Sequence, residues 1–152
     1  MSHIHEKIDF TVEVFIVHKN KVLLRKHDKY GYWLSIGGHI ELDEDPIMAC
    51  VREVKEEVGL DIEICGSIPP FKDNDFISII APKYMGKNKV SEKHEHITLV
   101  YFAKATTDVI SSAINDHEKS LARWATKEEL GTMDLRTNVL FYAENALKEL
   151  GW

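Results

Sequence analysis

The order of apolar and polar positions along the chain predicts strands in both halves and one strong helix between them. Residues 10–18 are β-branched and aromatic with partial alternation, which is typical of a strand, and a turn at 19–21 leads to a returning strand at 22–25. The other predicted elements are strands at 33–36, 61–68, 75–81, 96–105 and 120–124, polar loops at 27–32 and 85–95, a helical turn at 126–130 and a closing helix at 138–150. Together they predict an α/β (α+β) fold in which a mixed sheet lies between helices.

The central helix has the clearest boundaries in the chain. Asp45 is a suitable N-cap, Pro46 fits the first helical position, and Gly59 is well placed to end the helix in a left-handed conformation. At about 100° per residue, four aliphatic side chains fall within an arc of roughly 60°. We therefore predict that this stripe is buried in the core: Ile47, Val51, Val54 and Val58.

Three glutamates occupy a neighbouring arc of about 100° on the same helix: Glu53, Glu56 and Glu57. Their i, i+3, i+4 spacing brings the side chains together, so the carboxylates repel one another unless a cation lies among them. Arg52 is adjacent but carries a single charge and points to the flank of that arc. A hard divalent cation with oxygen ligands fits better, and Mg²⁺ is the usual choice beside phosphates. For this fragment taken alone, the alternative is a solvated acidic helix face.

Composition narrows the class of protein. The length of 152 residues is that of one domain, so residues 1–152 are read as a single unit, and 44% hydrophobic with 29% charged residues is typical of a soluble globular chain. No apolar run approaches the roughly 20 residues that span a bilayer, and residues 1–6 lack an apolar signal core. Two cysteines fit a reducing cytoplasm. A net charge of −6 argues against a nucleic-acid partner.

The segment around the three glutamates resembles the Nudix box, a motif that runs here from residue 38 to 60. Gly38, Glu44, Arg52, Glu53, Val54, Glu56, Glu57, Gly59 and Leu60 stand at the spacing of that motif without a departure. At seven of these positions the motif accepts one residue type only, and each is matched by chance about once in fifteen at average composition. A chance match to all seven therefore has a probability on the order of 10⁻⁸ per starting position. Residues 123–130 are similar to a late segment of such domains. The resemblance implies a Nudix-type α/β/α sandwich.

The resemblance also implies roles for the box residues. Nudix enzymes hydrolyse a nucleoside diphosphate linked to another moiety by attack of water on phosphorus. Mg²⁺, with Mn²⁺ as an alternative, would bind Glu56, Glu57 and a backbone carbonyl, expected to be that of Gly37. Glu53 would be a third ligand or the base that deprotonates the water. Glu44 would take an outer ligand or orienting role, and Arg52 would hold a glutamate in place by a charge-assisted hydrogen bond.

Candidates outside the box are weaker. Such enzymes commonly need an additional acidic base from a late loop, and Glu118 is the first candidate, followed by Glu95. The remaining candidates are predicted to contact substrate: Arg25, His94, His96 and Trp124. The two histidines stand two apart on a strand and should share a face, so they could also share a cation. Each of these residues also fits an ordinary structural role at a strand edge or in the core.

The favoured hypothesis is an enzyme acting on a small phosphorylated molecule, expected to be a nucleotide derivative. Two alternatives are a Nudix-like sensor that binds a nucleotide without cleaving it and an RNA 5′-end pyrophosphohydrolase. All four box glutamates are present, which favours catalysis over the sensor, and the acidic net charge disfavours RNA. An isoprenoid diphosphate isomerase is disfavoured by the positions of Cys50 and Cys65. A homodimer is a common state of similar proteins. Specificity is expected to reside in residues 69–95 and 106–120, which carry no decisive motif.

Overall fold

The computed structural model describes residues 7–27, 31–111 and 121–152. Within these ranges, eight strands form one sheet, in the order β3-β2-β1-β7-β5, with β4 paired to β1, β6 to β7 and β8 to β2. The elements are β1 (Ile8–His18), β2 (Lys21–Lys26), β3 (Trp33–Leu34), β4 (Ile36–His39), α1 (Pro46–Val58), β5 (Ile62–Cys65), β6 (Tyr84–Ser91), β7 (His94–Ala105), β8 (Ala122–Ala125), α2 (Lys127–Leu130) and α3 (Thr137–Leu150).

The centre of the sheet is a parallel pair formed by its two longest strands, β1 and β7. Their register runs from Ile8 opposite Glu95 to Val17 opposite Lys104, whereas the other strand pairs are antiparallel. A buried hydrogen bond of 2.9 Å joins the hydroxyls of Thr11 and Thr98 across this pair. The predicted mixed sheet is confirmed.

Helices cover both faces of the sheet, as the alternation of β1 requires. Val12, Val14 and Ile16 belong to a core cluster that also contains the buried residues of α1. Phe15 and Val17 point the other way, into a second cluster with the buried residues of α3. This arrangement of helix, sheet and helix confirms the predicted α/β/α sandwich. Among the described residues, no helix has both the length and the apolar character needed to cross a membrane.

The helix α1 begins and ends where the sequence predicts. The Asp45 side chain accepts a hydrogen bond of 2.8 Å from the backbone N–H of Met48, and Gly59 ends the helix with φ 70°. The predicted buried stripe is partly wrong, because Val51 is 46% exposed and Ile47 is only half-buried. The residues of α1 that are buried are Ala49, Cys50, Val54 and Val58. The buried arc is therefore rotated away from Val51.

Two predictions between α1 and β7 are wrong. Residues 75–81 are irregular, although they were expected to form a strand, and the expected loop at 85–95 is largely the strand β6. The reason is that the edge of β7 facing away from β1 is already paired with other strands. β5 pairs with residues 102–105 and β6 pairs with residues 94–100. No edge of β7 remains for residues 75–81. The predicted strand 61–68 is also shorter, ending at Cys65 before Gly66, whose φ is 155°.

Candidate active site

The rotation of α1 brings two of its glutamates inward. The side chains of Glu53 and Glu57 are only 14% and 18% exposed, whereas that of Glu56 is 44% exposed. In the loop before the helix, Glu44 is also nearly buried. The helix thus presents an apolar face to the sheet and, beside that face, two carboxylates that are mostly buried. Buried carboxylates are costly unless a positive charge compensates them.

Arg52 supplies much of that compensation. Its guanidinium donates two hydrogen bonds to the carboxylate of Glu44, at 3.0 and 2.6 Å, and one to Oε1 of Glu53 at 2.9 Å. Further hydrogen bonds reach the carbonyl of His39 at 2.9 Å and the carboxylate of Glu56 at 3.3 Å. The bond with Glu44 is the bidentate geometry that only arginine offers. Arg52 therefore links the loop, the end of β4 and the glutamates of α1, and its hydrogen bond lowers the pKa of Glu44.

Glu57 is the least compensated carboxylate of the box. Arg25 on β2 lies 3.0 Å from its Oε1, but Oε2 is buried and has no hydrogen-bond partner among the described residues. Burial raises the pKa of Glu57 to about 7, against the opposing effects of Arg25 and the Gly37 backbone. Burial also raises the pKa of Glu53. Two adjacent carboxylates with raised pKa values, one with a free oxygen, fit a divalent cation with oxygen ligands.

The glycine pair on β4 allows this close approach. A Cβ on Gly38 would lie 2.3 Å from Oε1 of Glu53, and a Cβ on Gly37 would lie 2.0 Å from the carbonyl oxygen of Val12. Any larger residue would therefore collide with a carboxylate of α1 or with the backbone of β1. These are contacts that glycine alone permits at these positions.

A cavity of about 290 Å³ opens next to Glu57. It follows the face of β1 and β7 that α3 leaves uncovered, so most of its walls are polar. Its lining is Thr11, Val12, Glu13, Arg25, His27, Leu34, Ser35, Gly37, Gly38, Glu57, Asn88, His96 and Thr98. The structure thus brings together the box, two predicted substrate contacts (Arg25 and His96) and several residues that were not predicted.

The other predicted residues lie elsewhere. His94 and His96 share a face as expected, with ring centroids 5.1 Å apart, but only His96 lines the cavity. Trp124 packs against the core, and its indole N–H donates to the carbonyl of Asp108 at 2.9 Å. Glu95 points to the opposite face and pairs with Lys87 at 3.3 Å. Glu118 lies outside the described residues.

Sequence reasoning missed Asp9, Glu13 and His39. Asp9 and Glu13 alternate with Val12 and Val14 on β1, and Asp9 is 1% exposed. Burial raises the pKa of Glu13 to about 6. The sequence did contain a pattern that could have identified Asp9 and Glu13. Asp9, Thr11 and Glu13 alternate along an otherwise apolar strand, so they make part of one of its faces polar. That pattern indicates a sheet face that meets a cavity.

Comparisons with known proteins agree with this geometry. A family model described as the NUDIX domain matches residues 8–146. A crystal structure of a NUDIX family hydrolase from Clostridium perfringens has a TM-score of 0.82 at 38% identity, covering 93% of this chain and 97% of that one. The chain therefore belongs to the Nudix family, as its box indicates. The expectation that it is an enzyme of the Nudix hydrolase class is confirmed at the level of the family.

Two curated relatives are more distant. A dihydroneopterin triphosphate diphosphatase from Haemophilus influenzae is 33% identical over 108 residues, which is 68% of each chain. An RNA pyrophosphohydrolase from Nitratiruptor sp. is 33% identical over 87 residues, which is 57% of this chain and 56% of that protein. The match thus spans little more than half the length of the second relative. Both names describe hydrolysis of a pyrophosphate bond, but on different substrates.

Proposed function

We propose that this protein is a Mg²⁺-dependent pyrophosphohydrolase that cleaves a nucleoside diphosphate linked to another moiety, by attack of water on phosphorus. The observation that carries the proposal is the environment of Glu57. Its carboxylate is mostly buried beside Glu53, one oxygen has no hydrogen-bond partner among the described residues, and it borders a polar cavity. Such a carboxylate is stabilised by a bound cation.

Glu53, Glu56 and Glu57 would hold the cation, together with the backbone of Gly37, and Mn²⁺ could replace Mg²⁺. When bound, the metal would polarise the bridging phosphate, lower the pKa of the attacking water and neutralise charge on the leaving group. The donor set consists of oxygens, which is what Mg²⁺ prefers. The ligand assignment is supported by the burial of Glu53 and Glu57 and by the raised pKa of each.

The remaining residues of the site would orient these groups. Arg52 fixes the rotamers of Glu44 and Glu53 through short hydrogen bonds, so the loop and the helix keep their relative position. Arg25 is positioned to exchange part of its contact with Glu57 for a phosphate oxygen. Glu53 is the candidate within the box for taking the proton of the attacking water. From outside the box, Glu118 remains the first candidate base, whereas Glu95 is not proposed because it points to the opposite face of the sheet and pairs with Lys87.

The substrate is proposed to be a small phosphorylated molecule, for which a nucleotide or nucleotide sugar is the leading class. A cavity of about 290 Å³ is near the lower end of the roughly 300–1,000 Å³ seen for ligand pockets. The relative named dihydroneopterin triphosphate diphosphatase supports a triphosphate as the substrate. The relative named RNA pyrophosphohydrolase makes the 5′ end of RNA a second candidate substrate. A net charge of −6 disfavours RNA. A cytoplasmic location and a homodimer are further parts of the proposal. Of the predicted substrate contacts, only Arg25 and His96 are proposed, because they line the cavity.

Product analysis of a substrate panel tests the proposal. Nucleoside triphosphates, dihydroneopterin triphosphate and 5′-triphosphorylated RNA would release phosphate or pyrophosphate, and nucleotide sugars would give a nucleoside monophosphate and a sugar phosphate. We expect turnover of at least one small molecule that requires Mg²⁺. Glu57→Gln should reduce kcat by at least about 100-fold, because it removes a charged ligand at nearly constant volume. The matched control is Glu128→Gln, which removes an exposed carboxylate on α2 and should leave turnover unchanged.

Two outcomes would contradict the proposal. Full Mg²⁺-dependent activity in Glu57→Gln would show that the metal assignment is wrong. Tight binding of one nucleotide without turnover of any substrate would favour the non-catalytic sensor instead.

A further inference from the structure

Four metal-ligating side chains converge beside the cavity, and none of them is a residue that the Nudix motif specifies. They come from three adjacent strands: Asp9 on β1, His39 on β4, and His94 and His96 on β7. The register explains the convergence, because Asp9 pairs with His96 and Thr11 pairs with His39. Paired residues on neighbouring strands point to the same face, and residues two apart on one strand do so as well.

The ligand atoms of Asp9, His94 and His96 lie together as one group, and that of His39 lies close to two of them. Oδ2 of Asp9 lies 3.3 Å from Nε2 of His94 and 3.7 Å from Nε2 of His39. Nε2 of His39 lies 3.3 Å from Nε2 of His96. In addition, Asp9, His94 and His96 each offer a ligand atom within 4.8 Å of the others. Ligands at about 2.0–2.1 Å from a tetrahedral Zn²⁺ are separated by about 3.4 Å, and the three pair distances of 3.3, 3.7 and 3.3 Å are close to that value.

The donor set selects the kind of metal. Three imidazoles and one carboxylate suit Zn²⁺ and neighbouring transition metals, whereas Mg²⁺ prefers oxygens alone. Burial also supports a metal site, because Asp9 is 1% exposed and His94 is 6% exposed. A carboxylate and an imidazole ordered inside the protein on adjacent strands form a rigid site rather than a mobile surface pair.

We propose that Asp9, His39, His94 and His96 form a transition-metal site for Zn²⁺, distinct from the Mg²⁺ site of the Nudix box. The two sites share no residue, but they are neighbours: Arg52 donates to the carbonyl of His39, and His96 lines the cavity. A cation held there adds positive charge at the wall of the cavity, where a phosphorylated ligand would be attracted. The proposal concerns metal binding and does not depend on which substrate the enzyme cleaves.

The test is a titration of the full chain with Co²⁺ in the presence of excess Mg²⁺, which keeps the box carboxylates occupied. We expect one equivalent of Co²⁺ to bind with the strong visible absorption of a four-coordinate site, and one equivalent of Zn²⁺ to abolish that absorption. X-ray absorption of the zinc form should show three nitrogen ligands of imidazole type. His96→Gln and Asp9→Asn should each weaken binding about 100-fold or more, since loss of even an outer-shell partner costs 10–100-fold.

Two controls separate this site from other ligands in the chain. Glu57→Gln should bind Co²⁺ and Zn²⁺ as the unaltered protein does, because it changes only the box. The double variant His3→Gln with His5→Gln should also be unchanged, which excludes the histidines near the N-terminus. Circular dichroism of each variant confirms folding.

Three results would overturn the proposal. One is the absence of stoichiometric Co²⁺ or Zn²⁺ binding by the unaltered protein, which would leave the four side chains as a hydrogen-bonded network. Another is unchanged affinity in folded His96→Gln. The third is loss of the absorption in Glu57→Gln or in the His3 and His5 double variant.

Discussion

Glu13 occupies the middle of β1, on the sheet face that continues as Phe15 and Val17 under α3. Burial raises the pKa of its carboxyl group to about 6, from an ordinary value of 4.5. The folded state therefore binds a proton more tightly than the unfolded state does. Stability from this group is fully present below pH 4.5 and is lost as the pH rises through 6.

The magnitude follows from the shift of the pKa. A difference of about 1.5 units at 1.36 kcal/mol per unit gives about 2 kcal/mol of lost stability at pH 7. Glu13→Gln keeps the volume and cannot ionise, so it should avoid this loss. We expect the variant to be more stable than the unaltered protein by about 2 kcal/mol at pH 7 and by less than about 0.5 kcal/mol at pH 4.

Urea unfolding at pH 4, 5, 6 and 7, without added metal, measures the difference directly. Glu144→Gln is the matched control, because it removes an exposed carboxylate on α3 and should show no such pH dependence. A difference between Glu13→Gln and the unaltered protein that stays constant from pH 4 to 7 would refute the reasoning. So would a variant that is less stable at pH 7, which would mean that the ionised carboxylate is stabilised.

Three further substitutions test the packing around the box. Gly38→Ala would place a Cβ 2.3 Å from Oε1 of Glu53, a side-chain end that can move, so we expect kcat to fall at least about tenfold while the free energy of unfolding changes by less than about 1 kcal/mol. Gly37→Ala would instead meet a backbone carbonyl at 2.0 Å and should destabilise the fold by about 1–3 kcal/mol or more. Arg52→Lys loses the bidentate contact with Glu44, so stability should fall by about 1.5–3 kcal/mol and kcat should fall with it. Steady-state kinetics and urea unfolding measure all three, and an unchanged Arg52→Lys would remove Arg52 from its positioning role.

Local signals allowed α1 to be predicted closely. A capping aspartate, a proline at the first turn and a glycine at the end act within a few residues, and each appears in the structure. The inward rotation of Glu53 and Glu57 could not be predicted from periodicity alone. The positions of the aliphatic residues alone would turn the carboxylates toward solvent. In the structure, Gly37 and Gly38 have no side chains, and the space that this leaves beside the helix is occupied by the carboxylates.

Long-range pairing explains the errors between residues 66 and 95. The segment 75–81 contains Phe76, Ile77 and Ile79, all exposed, and its apolar composition suggested a strand. The strand β6 is polar and mostly exposed, and what it gains comes from backbone hydrogen bonds to β7. Which of the two segments takes that edge depends on the whole sheet, because β-strand formation depends on context more than on composition.

The metal-ligating group at Asp9 and His39 was missed for a related reason. Sequence spacing placed His94 and His96 together, because they lie on one strand. It could not place Asp9 and His39 beside them, since those contacts depend on the register of three strands that are distant along the chain. The polar alternation of β1 was visible, but its meaning depends on where α3 stops covering the sheet.

The Thr11–Thr98 hydrogen bond has a consequence for folding fidelity. A slip of two residues between β1 and β7 would keep every side chain on its proper face, so the alternation of polar and apolar residues penalises it only weakly. Such a slip would nevertheless separate the two hydroxyls, both nearly buried, and leave each without the other. The threonine pair therefore favours the correct register of β1 and β7 at the point where the sheet borders the cavity. Replacing both threonines with valine would retain the packing and remove this hydrogen bond, and a population of misaligned molecules would then be expected during refolding.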